Sequence, residues 1–259
     1  MRVARLVLSF VLIVSSSPRL NCQQSVTAPQ RDPQAIAVLQ SSVATMGTLP
    51  ADSVATGSIV TVAGSLTSTG TITILTRGTT QTSEAISTNN MQQTIVYSNG
   101  QAAEIQGGTL TRLSLQASLG SQTPDFPLPF LLSALNDPEI SLQYVGLEAL
   151  NDVAVHHVRV WNTFSSTPAL QPLANFTLAD LWVDPSSNLP LRISYGRRDA
   201  EGATPTLRVD LSFSGYSNVG GVLYPFKIQK ALNGSPWGTV TIQKVVLNIG
   251  LMDSDFAVQ

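Results

Sequence analysis

Leu207-Arg208-Val209-Asp210-Leu211-Ser212-Phe213 and Val222-Leu223-Tyr224-Pro225-Phe226-Lys227-Ile228-Gln229-Lys230 decide the fold. Neighbouring side chains on a strand point to opposite faces. Leu207, Val209, Leu211 and Phe213 therefore share one face, with Arg208, Asp210 and Ser212 on the other. In the second stretch Val222, Tyr224, Phe226 and Ile228 share a face against Lys227 and Gln229. A slip of one residue would turn each apolar set into water, so the register is strongly specified. Asn233-Gly234 then turns the chain into a last strand running from about Trp237 to Ile249.

The same period of two extends upstream. Segments 55–63, 70–77, 81–88, 92–98 and 101–106 alternate or run β-branched, and Asn99-Gly100 joins the last two as a hairpin. Segments 141–148 and 153–161 turn at Asn151-Asp152, and 178–184 and 189–196 turn at Asp184-Pro185-Ser186-Ser187. Two stretches break the pattern. Asp32 is a plausible N-cap for a helix with Pro33 in its first turn, along which Ile36, Leu39, Val43 and Met46 recur at helical spacing up to Gly47. Phe126–Leu135, with Pro127 and Pro129 at its start and Phe130, Leu131, Leu132 and Leu135 on one side, reads as a helical insert. The expectation is a mainly β (α+β) chain: an antiparallel half-barrel of about 11–12 strands, strongly curved because so many twisted strands must curl, with a helical lid. If the helices fill the concavity the protein has an ordinary core. If they do not, an apolar cavity remains, the common setting of a small-molecule site.

Length and charge narrow the functions. The chain has 259 residues, enough for one large domain or two small ones, and no composition shift marks a boundary. Charged residues make up 12% while apolar residues reach 43% and mean hydropathy is +0.17, so a core is assured and the surface is carried largely by hydroxyls and amides. With 14 Lys+Arg against 16 Asp+Glu and no basic cluster, nucleic-acid binding is not expected. Two histidines and one cysteine are too few for a structural metal site or a disulfide, and no metal or other cofactor is expected.

The first 22 residues read as a secretory signal: Arg2 and Arg5, an apolar run Leu6–Val14, then Ser15–Cys22. The apolar run is about half of the roughly 20 residues a membrane span needs. Residues 23–31 form a polar leader and 32–259 a single domain. A periplasmic or secreted location follows. Lipid anchoring at Cys22 is disfavoured, because Arg19, Leu20 and Asn21 fit its processing motif poorly.

Two late signatures, Leu181-Trp182-Val183-Asp184 with Leu189-Pro190-Leu191-Arg192, and Gly221-Val222-Leu223-Tyr224-Pro225 with Val246-Leu247-Asn248, taken with the leader, the helix after Asp32-Pro33 and the proline-bearing insert, resemble the LolA/LolB-like periplasmic lipoprotein carrier superfamily. The resemblance runs over nearly all of the chain beyond the leader. It implies an unclosed barrel whose helices plug its mouth, and binding of lipid acyl chains or lipoproteins, with membrane-surface contact, by a non-catalytic monomer. The cavity-lining candidates are then Trp182, Leu207, Val209, Leu211, Phe213, Val222, Tyr224, Phe226 and Ile228, beneath lid residues Ile36, Leu39, Val43, Phe130 and Leu131. In the carriers an arginine on an early strand latches the lid; here residues 53–76 contain no charged residue.

Other residues point to bland roles. His156 and His157 are adjacent on a strand, face opposite sides and cannot converge on one site. Asp180 and Asp184 share a strand face, but Asp184 belongs to a turn. Asp253 and Asp255 lack the further oxygens a calcium loop needs. No nucleophile elbow, phosphate loop or metalloprotease motif is present, so catalysis is not expected. The competing expectation is an envelope interaction module whose barrel is filled by its own side chains.

Overall fold

The computed structural model describes residues 28–122, 124–202 and 207–258. The secretory signal with Cys22, its expected processing and the polar leader up to residue 27 lie outside them. Helix α1 (Pro33–Met46) is followed by six strands, β1 (Asp52–Ala63), β2 (Leu66–Arg77), β3 (Gln81–Thr88), β4 (Gln92–Ser98), β5 (Gln101–Gln106) and β6 (Thr109–Arg112). A helical stretch, α2 (Leu115–Leu119) and α3 (Pro127–Asn136), separates them from β7 (Ile140–Leu150), β8 (Val153–Asn162), β9 (Ala179–Val183), β10 (Pro190–Arg197), β11 (Leu207–Val219), β12 (Val222–Leu232) and β13 (Ser235–Leu247). Short 3-10 helices occupy Pro168–Thr177 and Asp253–Phe256.

All thirteen strands form one antiparallel sheet in the order β6-β5-β4-β3-β2-β1-β13-β12-β11-β10-β9-β8-β7. The order is a meander interrupted once, where the last strand pairs with the first. Its ends, β6 and β7, do not pair with each other, so the sheet is a half-barrel and not a closed one. The sequence reading missed β6, α2 and the 3-10 helices, and for β6 and the longer 3-10 helix the reason is physical. Thr109–Arg112 is exposed at every position, so no buried face imposes an alternation, and the 3-10 helix at 168–177 buries no residue.

The turns form as their composition demands. Asn99-Gly100, Asn151-Asp152 and Asn233-Gly234 all take positive φ at both positions, the backbone that two-residue hairpins require. Asp32 caps α1 by accepting from the backbone N–H groups of Gln34 and Ala35. At the other end of α1, Gly47 has φ 98° and sits so close to the β11–β12 turn that a Cβ would lie 2.3 Å from the Gly221 carbonyl oxygen.

Both long helices lie on the concave face and share its core. Ala35, Leu39 and Met46 of α1 and Leu128, Leu131 and Ala134 of α3 pack with Ile59, Ile72, Leu181, Ile193, Leu211, Phe213, Tyr224 and Ile228. Most of the concavity is thus filled by the protein's own side chains. Leu131 and Leu39 are fully buried, while Ile36, Val43 and Phe130 are partly buried against the same core. No helix among the described residues is long and apolar enough to cross a membrane.

Candidate functional site

Under the helical cover lies a cavity of about 220 Å³, at the β8–β10 end of the trough. Its floor is Val160, Ala179, Ile193 and Tyr195. Its roof is Phe130, Ser133 and Ala134 of α3, and its sides include Leu119, Tyr97, Trp161, Phe176 and Leu178. The lining is mostly apolar, and Asp137 is its one acidic side chain. Of the residues expected to line a cavity or its lid, only Phe130 borders this one.

The other expected residues divide into three groups. Val209 and Leu211 border a smaller void of about 60 Å³, together with Trp237 and Tyr195. Phe213, Val222, Tyr224 and Ile228 are buried in the solid core, Tyr224 stacked on Phe126 at 4.4 Å between ring centroids, and Phe226 is partly buried against it. As expected, Lys227 and Gln229 face water.

Trp182 and Leu207 are corrections. On β9, Leu181 and Val183 take the concave face, so alternation sends Trp182 to the outer one. There it stacks on His157 at 4.6 Å and donates from Nε1 to Glu148. It is only 7% exposed because side chains cover it, among them Arg192, whose guanidinium lies 5.9 Å from the ring centroid. Leu207 is 44% exposed and lies outside the core: it is the first residue of β11, opposite the last residue of β10.

The two histidines separate as the strand period requires. His156 Nδ1 meets the Tyr144 hydroxyl at 2.9 Å, whereas His157 lies on the opposite face, with Nε2 2.8 Å from Asp180 and Nδ1 2.9 Å from Glu148. Asp180 also accepts from Arg159, and Asp184 accepts from Ser186 and Ser187 in its turn. Asp253 pairs with Arg77, and Asp255 caps the Met252 N–H. Among the described residues, no group of three or more His, Cys, Asp or Glu is arranged to hold a metal.

Two polar features escaped the sequence reading. The first is Arg31, just ahead of α1, whose guanidinium donates to the carbonyls of Ala134, Leu135, Asp137 and Ile140 at 2.5–3.2 Å. It satisfies orphan carbonyls at the C-terminus of α3 and sets a cation against the negative end of the helix. Gln30 and Asp32 bond to the Leu142 backbone on either side of it, so the segment before α1 anchors both the lid helix and edge strand β7.

The second is a buried charge triad inside the trough. Lys230 and Glu84, each 5% exposed, form an ion pair, and Asp125, 0% exposed, places Oδ1 2.7 Å from Lys230 Nζ. Burial opposes the ammonium, but the two carboxylates overcome it and hold Lys230 above the usual lysine range. Burial likewise opposes ionisation of Glu84, and the Lys230 charge outweighs it, leaving the carboxyl below its ordinary value. Asp125 takes the opposite course: burial first, then the negative charge of Glu84, push it up to about 7. One ammonium, one carboxylate and one carboxylic acid make the cluster neutral, the arrangement a low-dielectric interior favours. The sequence did carry a signal, since Lys230 has the same strand parity as Ile228, and Glu84 the same as Ile86.

With this geometry established, the fold can be assigned: it is LolA-like, an open antiparallel half-barrel with a helical lid. No protein-family model matches the sequence, and no curated protein matches it. Solved structures do. An outer membrane lipoprotein-sorting protein domain from Vibrio parahaemolyticus is similar over 86% of this chain and 96% of its own, with a TM-score of 0.58 at 13% identity. A LolA superfamily protein from Nitrosomonas europaea aligns over 86% and 97%, with a TM-score of 0.56 at 15% identity. A DUF1329 family protein from Desulfovibrio piger aligns over 89% and 98%, with a TM-score of 0.55 at 13% identity.

Proposed function

We propose that the protein is a non-catalytic carrier of hydrophobic chains that works outside the cytoplasm, as a monomer, taking a lipid or lipoprotein acyl chain beneath α3. The observation that carries this reading is the cavity of about 220 Å³ left between α3 and the floor strands in an otherwise packed half-barrel. At about 30 Å³ for a molecule of water, it is smaller than the roughly 300–1,000 Å³ of a drug-sized ligand site. Taking a full acyl chain therefore requires α3 to move away from the floor strands, and the carrier reading includes that movement. Each methylene moved from water into the cavity gains about 0.8 kcal/mol. Ten buried methylenes thus gain about 8 kcal/mol, which offsets much of the roughly 4–15 kcal/mol cost of association. The signal-like stretch 1–22 is the support for an extracytoplasmic location, and the LolA-like fold, shared with a lipoprotein-sorting domain, is the support for lipid or lipoprotein cargo.

The test is titration of the protein lacking residues 1–22 with a fluorescent fatty-acyl probe. Micromolar binding is expected, abolished by Phe130→Asp in the cavity roof and unchanged by Lys227→Glu on the outer surface. Absence of binding by the wild-type protein removes the carrier reading in favour of a self-filled interaction module, which the packed core under α1 and α3 would then explain. N-terminal sequencing of the exported protein should find its first residue between Pro18 and Gln24.

A further inference from the structure

The triad has a particular construction. Lys230 and Glu84 belong to β12 and β3, which are separated in the sheet by β2, β1 and β13, so their ion pair spans the trough. The third group comes from a different layer: Asp125 lies two residues ahead of α3 and is fully buried. The residues that follow it, Leu128, Leu131 and Ala134, run on into the concave core at 0–1% exposure. The void of about 60 Å³ borders Lys230 and Glu84, and its wall includes Tyr195, which also forms part of the larger cavity.

Stability alone does not account for this arrangement. A buried ion cluster contributes little more than well-packed apolar residues of the same volume would. In the interior of an apolar trough it does supply selectivity, because a site built around buried polar groups rejects ligands that leave them unpaired. The side chain of Asp125 is a methylene bearing a carboxyl group, chemically the last two carbons of a fatty acid, and it is followed by aliphatic side chains in the groove. The lid thus lays a carboxyl head and an apolar body into the trough.

We infer that Lys230 and Glu84 form a head-group subsite for a long-chain carboxylic acid, and that Asp125 with the buried leucines of α3 occupies it as a stand-in in the unliganded protein. The inference deepens the carrier reading and rests on it. Binding exchanges one carboxyl for another: the ligand's head takes the place of Asp125 against Lys230 and Glu84, its chain takes the apolar space vacated by α3, and the charge balance of the cluster is preserved. An ester of the same chain length has no proton to give Glu84, and an alcohol must meet Lys230 and Glu84 through one oxygen where the acid offers two, so the acid fits the subsite best.

Calorimetric titration of the protein lacking residues 1–22 with lauric acid, methyl laurate and dodecanol tests this. Lauric acid is expected to bind at least tenfold more tightly than either neutral ligand. Asp125→Ala, which removes the stand-in, should tighten lauric acid at least fivefold and move the neutral ligands less than twofold. Lys230→Met should abolish the preference for the acid while retaining the neutral ligands. If Lys230→Met does not fold, judged by its melting transition, the wild-type preference and the Asp125→Ala gain still decide. Equal affinities of the wild-type protein for acid, ester and alcohol overturn the head-group subsite and leave the carrier reading standing. Failure to bind any of the three removes both.

Discussion

Asp125→Asn isolates the titration of the buried triad. An unfolded chain releases the Asp125 proton near 3.8, whereas the folded protein holds it up to about 7. Between those values the native state binds a proton that the unfolded state has lost, so stability falls as pH rises across the interval and levels off above it. Each pH unit is worth about 1.4 kcal/mol, so the rise from pH 5 to pH 7 costs about 3 kcal/mol. The depressed Glu84 acts with the opposite sign, its contribution being lost only as pH falls through a value below its ordinary 4.5, outside that range. Asparagine keeps the volume, accepts from Lys230 through its carbonyl oxygen and donates to Glu84 through its amide, without titrating. In urea unfolding followed by tryptophan fluorescence, the wild-type protein is expected to lose about 3 kcal/mol between pH 5 and pH 7.5, and the asparagine variant less than about 1 kcal/mol. Parallel pH profiles for the two proteins would refute the account of a neutral triad holding one proton.

Arg31→Met should cost about 2–4 kcal/mol, since it strips charged hydrogen bonds and a favourable cation from the end of α3. Hydrogen exchange should show it as faster exchange confined to α3 and its contacts with α1 and β7. Gly57→Val should lower the melting temperature by about 5 °C or more, because a Cβ there would lie 2.1 Å from the Thr241 carbonyl oxygen and the β1–β13 pair must separate to admit it. Trp182→Phe should cost about 1 kcal/mol through the lost Nε1 bond to Glu148. It should leave acyl-probe affinity unchanged, because Trp182 lies on the outer face; a loss of binding would contradict that placement.

What the sequence determined by itself was local. Alternation in 207–213 and 222–230 named the buried face of each strand, since a period of two admits only two registers and one of them wets every apolar side chain. Asn-Gly and Asn-Asp pairs located the hairpins because few other residues tolerate positive φ at both positions, and Asp32-Pro33 placed the start of α1 to the residue. From these the open half-barrel with its lid followed, as did the separation of His156 from His157. What only the tertiary structure decided was long-range. Trp182 shares its strand face with Asp180, so parity already placed it opposite Leu181 and Val183, and what the fold decided was the cover of His157, Glu148 and Arg192 that buries it there. Arg31 meets carbonyls more than 100 residues away, and no local pattern announces a guanidinium aimed at a helix end. Glu84 shares its strand face with Thr82, Ile86 and Thr88, but Lys230 sat on the apolar face of Val222, Tyr224, Phe226 and Ile228, an anomaly visible in the sequence. Its resolution needed the curvature that brings β3 and β12 together across the trough, and the helix that delivers Asp125 between them, because a buried charge is settled only by a partner and the partner is chosen by the fold.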